Sequence, residues 1–275
     1  MVHEMITSVQ NPLVKRLHQL LEKKGREAQK RYLVEGAHLV EEAFNSGAKV
    51  VTVLYDPQRA IDPACQRAMA EHEGGLQILT ASEAVLAKLS ETKSPQGIVA
   101  EVKRRDGDWD SWLTQRLAEG DQLLLLLLDE IQDPGNLGTI LRTAEAAGVD
   151  AVVLGKGSVD LYNGKVIRST MGAIFRLPIF SMSLPELADQ WKSLGGKLLV
   201  TAISEGSSPY DMATYSGKTA IVIGNEGRGV SKAMMDRADE KLYIPIYGRA
   251  ESLNAAVAAG ILIYEARRKQ TDRTI

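Results

Sequence analysis

Six consecutive leucines, Leu123–Leu128, stand between Gln122 and Asp129. A run this short falls well below the ~20 residues needed to cross a bilayer. It follows neither the two-residue nor the 3.6-residue alternation, so the element it forms must be apolar on both faces. A parallel β-strand covered by helices on both sides meets that condition. A helical stretch from about Asn136 to Ala147, ended by Gly148, and a second apolar run at Ala151–Leu154 make this a βαβ unit. Further strands are expected at Lys197–Ile203, Thr219–Gly224 and Lys241–Ile246, with a closing helix from about Ser252 to Arg268. The second half therefore reads as an α/β domain with a parallel sheet.

The first hundred residues also alternate. Strands are expected at Arg31–Val34, Lys49–Tyr55, Leu76–Leu79 and Gly97–Val102, with helices at Gly36–Asn45, Pro63–Glu73 and Ser82–Leu89. This predicts a smaller α/β domain over residues 1–102, a charged, turn-rich linker over 103–120, and the second domain over 121–275. Residues 1–32 read as a basic helical arm. Lys15, Arg16, Lys23, Lys24, Arg26, Lys30 and Arg31 stand there against Glu4, Glu22 and Glu27. Such an arm is either a solvated helix face or a surface that contacts phosphates.

The whole chain of 275 residues has a formal net charge of −2, which excludes a uniformly basic nucleic-acid coat but not a local basic face. One cysteine, Cys65, excludes an internal disulfide framework. The four histidines are His3, His18, His38 and His72, so neither His nor Cys occurs from Glu73 onward. The second domain must then work without a His base, a Cys nucleophile or a Cys/His zinc site. Met1–Pro12 has no apolar targeting core, and a cytoplasmic protein is expected.

Three loops follow expected strands. The first runs from Asp129 through Pro134-Gly135 to Asn136, a suitable helix N-cap, with Arg142 further along the helix. Open α/β sheets place ligands at strand carboxyl ends. The second is Gly224-Asn225-Glu226-Gly227-Arg228-Gly229. Its glycines let backbone approach a ligand, but a carboxylate at Glu226 would repel a pyrophosphate, so a ligand of cationic or hydroxyl character fits better. The third leads from Ile244-Pro245-Ile246 to Ser252-Leu253-Asn254, where Ser252 is a plausible N-cap and Asn254 falls in the first helical turn. Each loop alone also has a structural explanation, as a cap or a turn.

Taken together, N-L-G-T-I-L-R around Asn136 and Arg142, the G-N-E-G-R-G loop, and I-P-I…S-L-N-A-A-V-A resemble the three ordered motifs of the SpoU (TrmH) RNA ribose methyltransferases of the SPOUT superfamily. The resemblance covers roughly residues 121–268. The first hundred residues more loosely resemble the ribosomal-protein-like substrate-binding domain attached to many of these enzymes. It implies a deep trefoil knot in the C-terminal domain, a homodimer, and S-adenosylmethionine as cofactor without a metal. By motif position it implies Gly224, Ile244 and Leu253 as cofactor-binding residues. It implies Asn136, Arg142, Glu226, Ser252 and Asn254 as catalytic or active-site residues. Ala255 and Ala256 stand where the family often has a small hydroxyl residue.

The implied reaction is methyl transfer to a ribose 2′-hydroxyl, with Arg142 orienting a phosphate and stabilising the developing alkoxide. Asn136 and Glu226 are expected to hold Arg142 or the ribose. RNA would meet Lys23, Lys24, Arg26 and Arg249, with Lys165 and Arg168 near the cofactor site. Ribosomal RNA is the favoured substrate. The alternatives are a transfer-RNA ribose methyltransferase and a non-catalytic RNA-binding protein. A nucleotide-binding oxidoreductase is disfavoured because no acidic ribose-binding residue follows a GxGxxG turn.

Overall fold

The structure is a computed structural model that describes residues 5–72, 75–105 and 107–271. The remaining positions of the expected arm, of the Pro63–Glu73 helix and of the linker lie outside the described residues. The chain divides into two units, Met1–Asp106 with Asp160–Arg176, and Gly107–Val159 with Leu177–Ile275.

In the first unit, α1 (Pro12–His18) starts where Pro12 opens the helix and the Asn11 side chain accepts from the Leu13 N–H at 2.8 Å. A 3₁₀ turn, Gln19–Leu21, leads to α2 (Lys23–Gln29). Then follow β1 (Arg31–Glu35), α3 (Ala37–Asn45), β2 (Val50–Tyr55), α4 (Pro63–Glu71), β3 (Gln77–Thr80), α5 (Glu83–Lys88) and β4 (Ile98–Lys103). The sheet order is β1-β4-β2-β3, with β4 antiparallel to both neighbours and β2 parallel to β3. Val14, Leu17 and Leu20 pack into a core with Leu54, Leu79, Leu86 and Val99. The expected arm is thus a wall of the domain.

The second unit opens with α6 (Trp109–Glu119). Asp108 caps it, and Trp109 and Leu113 are buried. The expected linker is therefore largely a core helix, whose apolar positions were masked by the charges around them. After α6 come β5 (Leu123–Leu128), α7 (Pro134–Ala146) and β6 (Ala151–Leu154). The next segment, Asp160–Arg176, carries α8 (Gly164–Thr170) and α9 (Ala173–Arg176) and belongs to the first unit. The second unit resumes with β7 (Ile179–Ser181), α10 (Leu184–Ser193), β8 (Lys197–Thr201), β9 (Ser208–Pro209), β10 (Lys218–Ile223), α11 (Lys232–Met235), β11 (Glu240–Tyr243) and α12 (Ala255–Thr271).

Its seven strands run β7-β6-β5-β10-β8-β11-β9, and every neighbouring pair is parallel. All six leucines of β5 are buried. Leu123, Leu125 and Leu127 meet Trp109, Leu113 and Trp191 on one face of the sheet. Helix α12 packs on α7 and β10. No described helix is long and apolar enough to cross a membrane.

The basic N-terminal stretch sorts by residue type. Lys15, Lys23, Lys24 and Lys30 are exposed, whereas the arginines turn inward. Arg26 is only 5% exposed. Its Nε and Nη2 donate to Asp160 at 2.9 and 2.6 Å, and its Nη1 donates to the Leu20 and Leu21 carbonyls at 2.8 and 2.6 Å. The expectation that Arg26 contacts RNA is corrected by this: its donors are consumed inside the unit. The planar guanidinium fork suits such multidentate burial better than an ammonium does. Asp160 brings the inserted segment with it, and Tyr162 stacks on Tyr32 with ring centroids 4.6 Å apart.

Arg16 and Arg31 converge on Glu101 of the central strand β4, whose side chain is fully buried. Arg16 Nη2 donates to it at 2.9 Å, Arg31 Nη1 at 2.8 Å and the Thr52 hydroxyl at 2.8 Å. Burial pushes the Glu101 carboxyl up, but these donors outweigh it and set its pKa at about 2. The stabilisation is complete above the ordinary glutamate value of ~4.3 and drains away as pH falls through that value toward about 2. Denaturant melts of Glu101→Gln should therefore differ most from wild type at neutral pH and converge with it near pH 2, and a constant gap across that range would contradict the charged network.

Candidate active site

The three loops meet at the carboxyl ends of β5, β10 and β11. The chain leaves β5 through Asp129, whose carboxylate accepts from the Ser231 N–H at 2.7 Å. Glu130 then adopts a left-handed backbone with φ 61. Its carbonyl accepts from Asn225 Nδ2 at 2.8 Å, and its carboxylate pairs with Arg228. Helix α7 begins one turn earlier than its sequence suggests. Asp133, not Asn136, is the N-cap, accepting from the Asn136 N–H at 2.8 Å, with Pro134 opening the helix. This correction matters because the Asn136 side chain is left free for another task.

The second loop is closed on itself. Asn225 and Gly229 exchange backbone hydrogen bonds at 3.0 and 2.9 Å, and Asn225 Oδ1 accepts from the Gly227 and Arg228 N–H groups, both at 3.0 Å. A Cβ on Gly224 would lie 2.2 Å from the Val230 nitrogen, so only glycine fits there. The turn presents Glu226 to the first loop. Its carboxylate accepts from the Gln132 N–H, the Asp133 N–H and Asn136 Nδ2, each at 3.0 Å. Partial burial pushes Glu226 up, but the Asn136 amide and the two backbone donors prevail and hold it below the ordinary carboxylate range. Glu226 is an ionised anchor at neutral pH, poorly suited to take up a proton.

The third loop joins through Asn254. This residue, rather than Ser252, caps α12, with Oδ1 accepting from the Ala256 and Val257 N–H groups at 2.9 and 3.3 Å. Its Nδ2 donates to Asn136 Oδ1 at 2.9 Å. The direction of the whole chain follows from Glu226. An ionised carboxylate only accepts, so Asn136 must offer it the NH₂ and turn its oxygen to Asn254, whose own oxygen then faces the helix. One polar line runs from the α12 N-terminus through Asn254 and Asn136 to Glu226.

Beside this line lies a pocket of about 450 Å³, within the ordinary range for small-molecule sites. Gly224, Ile244 and Leu253 line it, together with Ile223, Leu242 and Ile246. Ser252 also lines it, and Glu226 and Glu251 add carboxylates. Apolar walls with acidic groups suit a ligand that is part apolar and part cationic.

Residues 123–264 match the SpoU rRNA Methylase family, and residues 11–100 match the MRM3-like substrate binding domain. The chain belongs to the SpoU rRNA methylase family. It is 40% identical, over 96% of its length and 99% of the relative's, to the 23S rRNA (guanosine(2553)-2'-O)-methyltransferase RlmP of Bacillus subtilis. An AdoMet-bound rRNA methyltransferase from Sinorhizobium meliloti superposes with a TM-score of 0.82 at 31% identity, covering 96% of this chain and 97% of that one. The SpoU methyltransferase AviRb from Streptomyces viridochromogenes, in complex with AdoMet, also gives 0.82, at 29% identity over 94% and 98% of the two chains.

Among the motif residues of this SpoU-family chain, Glu226 and Asn254 are joined through Asn136. Arg142 is exposed on α7 and has no hydrogen bond or ion pair among the described residues. Of the two expected partners of Asn136 and Glu226, Arg142 or the ribose, Arg142 is not bonded to either; the two residues bond to each other. Arg249 is exposed in the third loop, and Lys23 and Lys24 are exposed on α2. Lys165 and Arg168 sit on α8 in the first unit, where Arg168 faces Glu91 at 3.7 Å. Three residues that build the site escaped the sequence reading: Asp133, Glu130 and Asn225. The Asp-Pro pair was a readable cap signal for the first. The roles of the other two depend on loops that meet only in space.

The polarity of the amide line can be tested. Asn136→Ala removes one link, whereas Asn136→Asp places a second carboxylate against Glu226. The Asp variant is expected to be the weaker, by about tenfold in methyl transfer. Equal losses in the two variants would mean that Asn136 acts by bulk alone.

Proposed function

We propose that this chain transfers a methyl group from S-adenosylmethionine to a ribose 2′-hydroxyl of ribosomal RNA, with large-subunit RNA the first substrate to test. The observation that carries this reading is the Asn136–Glu226–Asn254 line at the mouth of an apolar, acid-flanked pocket, in a chain of this family. Two similar structures are described with AdoMet bound. The pocket fits that cofactor in volume and chemistry. Gly224 and the apolar residues Ile244 and Leu253 would hold its flat, apolar parts, and the carboxylates suit a positive centre. When bound, S-adenosylmethionine supplies an electrophilic methyl on a sulfonium.

The remaining work is positioning and electrostatics. Arg142 is exposed and uncommitted, so it is available to a substrate phosphate and to the oxygen developing negative charge. Guanidinium groups stay charged at neutral pH, and Glu226 is fully engaged. The hydroxyl proton therefore passes to a substrate phosphate or to water. Asn254 holds the third loop to Asn136 and to the start of α12, and the exposed Ser252 hydroxyl on the pocket wall would meet the cofactor.

The reading extends to assembly. Val257 and Tyr264 are exposed seven residues apart on α12, an apolar stripe that supports a homodimer packed through that helix. It also takes over the trefoil knot, which the sheet order and the return of α12 onto α7 and β10 support. It takes a cytoplasmic site of action, where ribosomal RNA is matured. The first unit is the RNA-holding part, with its outward lysines as phosphate contacts.

Replacing Arg142 by Ala should lower methylation of ribosomal RNA by ~10²-fold or more, while calorimetric S-adenosylmethionine affinity stays unchanged. Wild-type activity in that variant would remove Arg142 from the mechanism. Neutralising Lys23 and Lys24 together should weaken RNA binding and reduce the slope of log affinity against log salt by ~1–2. An unchanged slope would put RNA elsewhere.

A further inference from the structure

The chain has three tryptophans, eight tyrosines and three phenylalanines. All but two of these aromatic side chains are buried or half-buried. Tyr264 is one exception, on the apolar stripe of α12. The other is Tyr247, which is 96% exposed. A ring held wholly in water forgoes the burial that stabilises an aromatic residue. The turn beside it is open as well, since a Cβ on Gly248 would meet nothing within 4 Å.

The position of Tyr247 is specific. Ile246 immediately before it and Glu251 four residues after it both line the pocket, so the intervening turn stands on the pocket rim. Arg249 lies two residues on, exposed and without an acidic partner among the described residues. A planar ring and an uncommitted guanidinium on one short turn match the way single-stranded RNA is held. Unstacked bases lie on aromatic faces while cations take the phosphates.

We propose that Tyr247 is a stacking platform for a nucleobase of the substrate RNA, at or beside the nucleotide that is methylated, and so helps position the substrate. This rests on the methyltransferase reading above. The ring supplies a face that any base can cover, and Arg249 fixes the backbone so that one nucleotide lies over it.

The test compares Tyr247→Ala, Tyr247→Phe and Tyr247→Trp on an unmodified 23S ribosomal RNA transcript. The Ala variant should raise KM for RNA about tenfold or more and leave KM for S-adenosylmethionine unchanged, with Phe and Trp close to wild type. Wild-type kinetics in the Ala variant would overturn the proposal. So would equal damage from Phe and Ala, which would assign the effect to the hydroxyl. Light scattering that showed Tyr247→Ala shifting a dimer to a monomer would give the ring to a second copy of the chain, and also overturn it. If wild type binds this RNA but transfers no methyl, the methyltransferase reading fails on its own. Anisotropy of RNA binding then decides Tyr247, with equal affinity of wild type and Ala counting against it.

Discussion

The carboxylate of Glu226 collects two backbone N–H groups from the loop after β5 and the amide of Asn136, and the site is organised around that collection. Its charge sets the direction of every later hydrogen bond in the line, through Asn136 to Asn254 and the start of α12. Three loops from three strand ends are thereby held by one ion. Such an anchor works only while ionised, and its donors hold it so. The strained backbone at Glu130 and the glycine at 224 are local costs of bringing the loops this close.

This arrangement needs a rigid platform. The parallel sheet provides it through β5, whose leucines are buried on both faces and pair directly with β10. Adjacent parallel strands deliver the first two loops to the same edge. The third comes from β11, one strand beyond β8, and reaches the others through Asn254 instead of through strand pairing.

The first unit solves a different problem with the same residue types. Its basic stretch separates into inward arginines and outward lysines. Glu101 and Asp160 take the guanidinium groups, which form several directed bonds each, and the strongly hydrated ammonium groups remain in water. The exposed basic surface is smaller than the sequence suggests. The Asp160–Arg26 bond also explains why a segment lying between two strands of the second unit belongs to the first.

Much of the fold and site is legible in the sequence. Six leucines fit a doubly covered strand, because the run is short and apolar on both faces. The alternation in the first hundred residues gives four strands near their observed positions. The three loops read as a set, with Asn136, Glu226 and Asn254 within it. The caps lie three residues before Asn136 and two after Ser252, because Asp133 and Asn136, like Ser252 and Asn254, are all competent N-caps. Composition does not choose between them; the loop that must meet Glu226 does. The core role of α6 and the allegiance of α8 and α9 were hidden because both depend on partners far along the chain. The sequence by itself thus determined which elements form and which polar groups lie at strand ends, since those follow from local burial and turn chemistry. Only the tertiary structure decided which arginines are spent internally, which side chain caps each helix, and that Glu226 ties the loop after β10 to the loop after β5 and to Asn136. Each of these is a competition among donors and acceptors that distance alone resolves.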